Sequence, residues 1–205
     1  MARYTASVCK LCRRVNEKLM LKGSRCLTPK CAVGRRKKVM GARRRRVSDR
    51  GLQLFEKQKA RYTYGLMERQ FHSFFVKAEN QTGITGDNLK VLLARRLDNV
   101  IQSLGFADSR AQARQLVLHG HFRINGHKAD IASMLVKEGD TIRWTESSLK
   151  NKYYKEVLEG IQAKSVPTWL TLNRETLEAR VISLPIANET GALFDAKSVV
   201  EYYSR

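Results

Sequence analysis

Cysteine is absent from the chain after Cys31, although four cysteines crowd the stretch before it. Aromatic residues are as scarce there, with Tyr4 alone between Met1 and Arg50. Carboxylates are short too. Glu17 and Asp49 face seventeen Lys and Arg in those fifty residues, so +15 of the formal net charge of +20 sits in a quarter of the chain. Each shortage excludes something. One ring among so many cations buries too little apolar surface to offset the entropy of ordering the backbone. The lack of any run of eighteen apolar residues excludes a membrane-spanning helix. The basic stretch also lacks the leucine-rich, aromatic face by which an interfacial helix holds a bilayer, so no membrane partner is expected. No nucleophile elbow, phosphate-cradling glycine loop or paired acid and base is visible, and neither catalysis nor a small-molecule substrate is expected. His119, His121 and His127 are close in sequence, but three histidines on a polar hairpin read as surface groups rather than general bases. Met1-Ala-Arg-Tyr-Thr5 leads into the cysteines without an apolar signal region, which points to a cytoplasmic protein with reduced thiols.

What is present begins with Cys9, Cys12, Cys26 and Cys31 in the spacing C-x2-C-x13-C-x4-C. Two short cysteine pairs a dozen or so residues apart match the ligand pattern of structural tetrahedral zinc sites. Such a site converts metal affinity into folding free energy, roughly 10 to 16 kcal/mol in small zinc peptides. Lys10, Arg13, Arg14, Arg25 and Lys30 lie beside the ligands and offset the double negative charge of a Zn(Cys)4 centre. One Zn2+ is therefore expected. An iron-sulfur cluster uses the same four thiolates, and spacing leaves both metals open. Disulfides would need an oxidising compartment.

So strong a positive balance points to a polyanionic partner, because a basic surface attracts nucleic acid and releases its counterions. Arg35, Arg36, Lys37, Lys38, Arg43, Arg44, Arg45 and Arg46 form a low-complexity arm interrupted by glycine. Arg50, Lys57, Arg61 and Arg69 continue the series of cations expected to face that partner. From Gly51 to Val76 apolar and charged residues interleave as in helices, with a break near Tyr64-Gly65. Leu89, Leu92, Leu93, Leu97, Val100, Ile101 and Leu104 predict one helix over Asp87 to Leu104, closed by Gly105. Ser109 or Asp108 caps a second helix on which Arg110 and Arg114 share a face, and Gly120 ends it. Asn125-Gly126 between short extended runs predicts a type I′ hairpin, and Thr141 to Trp144 a further strand.

Residues 95–146 thus read as two helices and a small sheet, with eight Lys and Arg against six carboxylates, a net charge of +2. Placement matters more than this total. Arg110, Arg114, His121, Arg123 and Lys128 are expected on one concave basic surface, suited to the backbone shape of structured RNA. Tyr153 to Glu159 predicts another helix, Trp169 an apolar anchor, and Ala196 to Arg205 a tail that docks. A DNA-binding zinc finger is a poor rival, since histidine ligands and a base-reading helix are both missing.

Several stretches in this order resemble one family. They are the four cysteines, Gly51-Leu-Gln-Leu-Phe-Glu-Lys-Gln-Lys-Ala-Arg61, Tyr64-Gly-Leu-Met-Glu-Arg-Gln-Phe71, Arg95-Arg-Leu-Asp-Asn-Val100, Ser109-Arg-Ala-Gln-Ala-Arg-Gln115, His119-Gly-His121, Val166-Pro-Thr-Trp-Leu170 and Val200-Glu-Tyr-Tyr-Ser-Arg205. Over nearly its whole length the chain resembles bacterial-type small-subunit ribosomal protein four, S-four. Lys37-Lys-Val-Met-Gly-Ala-Arg43 departs from the proline- and glycine-rich stretch usual there. The resemblance implies an α+β, mainly helical fold. A helical domain over 51–94 and 147–205 is interrupted by an S-four RNA-binding domain over 95–146, behind a metal-stabilised segment over 1–50. It implies a primary 16S ribosomal RNA-binding protein that nucleates the body of the small subunit and shares in decoding accuracy, beside proteins S-three and S-five. Carried over by motif, Arg95, Ser109, Arg110, Gln112, Arg114, Gln115, Gly120, His121, Asn125, Gly126 and Lys128 are the RNA-facing set. The same RNA-binding unit also occurs in RNA-modifying enzymes, which makes such an enzyme the alternative.

Overall fold

The computed structural model describes residues 4–36 and 48–204, without the side chains of Arg35 and Arg36. The expected contacts of Arg35, Arg36, Lys37, Lys38, Arg43, Arg44, Arg45 and Arg46 lie outside these described residues. The chain divides into two compact units, residues 1–90 with 191–205, and residues 91–190.

In the first unit, α1 (Cys9–Val15) and α2 (Ala32–Arg36) flank a 3-10 turn at Gly23–Cys26. Cys12, Val15, Leu19 and Val33 make a small core against Phe55 and Tyr62 of α3 (Asp49–Thr63). Apolar contact with α3 therefore helps to order a segment that composition alone left to a metal. Ser48 caps α3 by accepting the Gly51 N–H at 3.3 Å. The break before α4 (Glu68–Glu79) falls at Tyr64-Gly65 as the sequence predicts, with Gly65 at φ 64°. Within α5 (Thr85–Ala94), at Val91, the chain enters the second unit.

There the predicted continuous helix is interrupted. The apolar periodicity of residues 89–104 runs on, but Arg96 is extended (φ −62°, ψ 136°) and a new helix, α6 (Leu97–Ser103), begins after it. Main-chain pairing explains the break. Leu97 N–H donates to Met134 O at 2.8 Å, Val136 N–H to Arg95 O at 3.0 Å, and Arg96 forms a bridge with Leu135. Arg96 is completely buried, and Asp98 accepts from its Nε at 3.0 Å and Nη2 at 2.6 Å. Gly105 (φ 82°) closes α6 in a Schellman turn, with Phe106 N–H donating to Ile101 O at 3.2 Å.

Helix α7 (Arg110–Leu118) starts at Ser109, whose hydroxyl accepts the Gln112 N–H at 3.3 Å. Strands β1 (Phe122–Ile124) and β2 (His127–Ala129) then form the expected hairpin, with Asn125 at φ 50° and Gly126 at φ 83°, as a type I′ turn requires. Strand β3 (Thr141–Trp144) pairs with β1. Two short helices, α8 (Glu146–Leu149) and α9 (Lys152–Gly160), lead to β4 (Leu170–Asn173) and β5 (Glu178–Val181). The antiparallel sheet runs β2-β1-β3-β5-β4. Its inner face and the helices share one core that includes Leu97, Ile101, Phe106, Val117, Phe122, Trp144, Trp169 and Val181. Strand β5 pairs with β3, so the compact unit that contains residues 95–146 runs on to Thr190.

Back in the first unit, α10 (Ala196–Tyr203) is capped by Asp195 and packs on α3. Gln53 Nε2 donates to Glu201 at 2.9 Å, and the Tyr203 hydroxyl to Glu68 at 2.8 Å. The tail docks, as its apolar residues predict.

Candidate nucleic-acid interface

The N-terminal end of α7 follows from its cap, and a carboxylate beneath it sets the arginines. Asp98 is 4% exposed and pairs both with Arg96 at 2.6 Å and with Arg114 Nη1 at 3.2 Å. The neighbouring Asn99 accepts from Arg110 Nε at 2.6 Å and donates its amide to Ala94 O at 3.1 Å. The two arginines expected on one helix face are together, but they are half-buried and held from below rather than freely solvated. That fixes their stems and lowers the rotamer entropy still to be lost on meeting a phosphate. Arg114 Nε is buried with no acceptor among the described residues.

Gly120 ends α7 at φ 72°, and Lys128 crosses directly over it, so that an added Cβ would collide with the lysine Cε. Lys128, Gln115 and Gly126 are exposed, as are Arg50 and Arg69 in the first unit. Arg95 is half-buried, with its Nε donating to Val136 O at 3.0 Å. Burial draws its pKa below the usual arginine value, against a partly restoring pull from Asp140.

Five expected RNA-facing side chains are already engaged within the protein. Lys57 is 4% exposed, donates to Glu68 at 2.6 Å and lies over the Tyr202 ring at 4.7 Å. Arg61 reaches the same carboxylate at 3.0 Å. Gln112 turns inward to the Tyr153 hydroxyl at 3.0 Å, and burial pushes that phenol up to about 12. Asn125 donates to Asp140 at 2.8 Å and accepts the Thr141 N–H at 2.9 Å, so its side chain builds the turn. His121 Nδ1 meets the Ser148 hydroxyl at 2.7 Å. Its pKa is lowered by burial and then by His119, which favours a neutral ring. Each of these five spends donors or acceptors on the fold, as Arg95, Arg110 and Arg114 also do. Sequence reasoning left Arg143 and Arg180 out of the RNA-facing set, although the alternation in Thr-Ile-Arg-Trp144 and Glu-Ala-Arg-Val181 turns both arginines outward.

All four cysteines are free thiols; Cys12 and Cys26 are buried and Cys9 and Cys31 partly exposed. Backbone N–H groups point at the sulfurs, from Lys22 to Cys26 at 3.4 Å, from Leu19 to Cys12, and from Gly34 and Val33 to Cys31. Burial raises the Cys12 thiol pKa, and the nearby Cys26, Cys9 and Cys31 raise it further. The donor chemistry suits a thiolate-bound ion, since N–H donors stabilise thiolates. Among the described residues, however, no group of three or more Cys, His, Asp or Glu side chains is arranged to hold one. Cys9, Cys26 and Cys31 all act electrostatically on Cys12, so the four thiols lie in one neighbourhood without a formed coordination sphere among the described residues. No helix among the described residues is long and apolar enough to cross a membrane.

A helical unit and a small sheet unit with arginines held from below suit a structural RNA-binding protein. Residues 3–94 match the family described as Ribosomal protein S4/S9 N-terminal domain, and residues 95–142 match the S4 domain. Small ribosomal subunit protein uS4 of Dehalococcoides mccartyi is 54% identical over 208 residues, covering all of both chains. Those of Syntrophomonas wolfei and Pelotomaculum thermopropionicum are each 51% identical, again over the whole of both chains. The chain belongs to the uS4 family of small ribosomal subunit proteins. The family is structural, so the RNA-modifying enzyme is not favoured.

Proposed function

We propose that the chain is a structural component of the small ribosomal subunit that binds 16S ribosomal RNA early and organises the subunit body. The observation that carries this reading is the carboxylate and amide beneath α7, which hold Arg110 and Arg114 in place before any RNA arrives. Mechanism follows from that arrangement. The arginines keep N–H donors in planar forks that suit phosphate oxygens. Exposed Lys128, Arg50 and Arg69 add charge without fixed geometry. Binding a folded RNA costs little further side-chain entropy because these arginines are already positioned. Contacts with proteins S-three and S-five, and through them a share in decoding accuracy, rest on the family resemblance.

The same reading includes one Zn2+ held by Cys9, Cys12, Cys26 and Cys31, with an iron-sulfur cluster as the other metal that four thiolates accept. Held by these four thiolates, such an ion would cross-link α1 to the segment around Cys26 and Cys31. The surrounding N–H donors orient the sulfurs.

Replacing Arg110 and Arg114 together by Ala tests the RNA interface. The slope of log affinity for 16S ribosomal RNA against log salt should flatten by about 2. An unchanged slope would remove α7 from the interface.

A further inference from the structure

The outer face of the second unit's sheet carries cations in an arrangement that folding alone disfavours. Register pairs Arg123 of β1 directly with Lys128 of β2 on one side and with Arg143 of β3 on the other. All three are exposed, while Phe122, Ile124, Ala129, Ile142 and Trp144 are buried. The three charges therefore share one face and one row. Neighbouring strands lie about 4.8 Å apart, so the row spans roughly 10 Å. Like charges directly opposite on a sheet repel and destabilise it. On the next strand Arg180 is exposed between Thr141 and Thr171, its partners in register.

Neutralisation is incomplete. Glu146 reaches Arg123 at 3.4 Å but is itself 85% exposed, and Glu178 reaches Arg143 at 2.6 Å. Lys128 and Arg180 make no ion pair among the described residues. Four cations thus make two ion pairs among the described residues, and exposed pairs of this kind exchange partners at little cost. A surface groove beside the row is lined by Arg123, Thr141, Arg143 and Glu146, and a second one by His119, Arg123, Lys128 and Ser147. Arg123 borders both grooves, which makes it the centre of the row.

We propose that this sheet face extends the RNA-backbone surface beyond α7, from Lys128, which the two share, along one phosphate strand running across the β-strands. Successive phosphates lie at Lys128, Arg123 and Arg143, with Arg180 extending the track. Repulsion in the free protein is relieved when the polyanion arrives. The proposal rests on the RNA-binding reading above.

The test compares the Arg123→Gln plus Arg143→Gln protein with the wild-type chain on 16S ribosomal RNA across a salt series. Arg110→Ala plus Arg114→Ala marks the α7 surface, and Lys152→Gln plus Lys155→Gln marks exposed charge on α9. The sheet variant should flatten the salt slope by about 2 and weaken binding by roughly tenfold or more near physiological salt. Its melting temperature should be equal to or above that of the wild type, which separates lost contact from lost fold. An unchanged slope in the sheet variant, with wild-type binding intact, overturns the proposal and leaves the RNA-binding reading standing. An equal effect from the α9 variant also overturns it, because the charge would then act diffusely. Failure of the wild-type chain to prefer 16S ribosomal RNA defeats the parent reading instead.

Discussion

Gly120 shows how one missing side chain serves both a backbone and a surface. Its φ of 72° closes α7, and its bare Cα leaves the path that Lys128 takes. Gly120→Ala should destabilise the protein by about 1–2 kcal/mol, the usual left-handed penalty for an L-residue, and should push Lys128 aside. Denaturant unfolding checks the first effect, and a midpoint equal to that of the wild type would contradict it. At this scale the glycines, the Ser109 cap and the Asn125-Gly126 turn are legible because each answers a local backbone demand. The fate of individual cations is not. Lys57 and Arg61 belong to a network with Glu68 and Tyr203, and Tyr203 is 135 positions from that carboxylate in sequence. Nothing near residue 57 announces it. Asn125 and Gln112 likewise match an RNA-binding motif, yet their amides hold the turn and the Tyr153 hydroxyl.

Among the elements, α10 depends most plainly on one ionised group. Burial pushes the Glu68 pKa up, but hydrogen bonds from Lys57 and Tyr203 and the charges of Lys57 and Arg61 outweigh it, leaving a net lowering. A carboxylate with a lower pKa folded than unfolded stabilises the fold above the unfolded value, and this contribution fades as pH falls through the folded one. The docking of α10 should therefore weaken in acid, below the ordinary glutamate range. Hydrogen exchange of residues 196–203 between pH 7 and 3 reads this directly, with Glu68→Gln as reference. An acid-induced loss of protection equal in the two proteins would count against the network. The helices were legible from their apolar spacing, and the break at Arg95-Arg96 was not, because it comes from strand-like pairing with residues 132–136. Hairpin β4-β5 also escaped the sequence reading. Its turn uses the Asn173 side chain to accept the Glu175 and Thr176 N–H groups, with Leu177 at φ 51°, rather than an Asn-Gly pair.

For the whole molecule, two kinds of order meet in the N-terminal segment. Leu19, Val15 and Val33 pack with α3, and the four free thiols lie in the same segment. Purified protein should carry about one Zn2+ per chain, and chelation should loosen residues 9–33 without melting α3, because metal affinity in such sites is folding free energy. Elemental analysis with hydrogen exchange before and after chelation measures both. A metal-free protein with fully protected residues 9–33 would remove the ion from the reading.

The claim that matters most is that positive side chains, fixed in advance by the fold, receive one folded ribosomal RNA. Equilibrium binding of the full chain to 16S ribosomal RNA, measured over a series of salt concentrations beside an unrelated structured RNA of similar length, addresses it most directly. Log affinity for 16S ribosomal RNA should fall linearly with log salt, with a slope set by about six to ten neutralised phosphates, and should exceed that for the unrelated RNA throughout. A salt-independent affinity, or equal binding of the two RNAs, would contradict it.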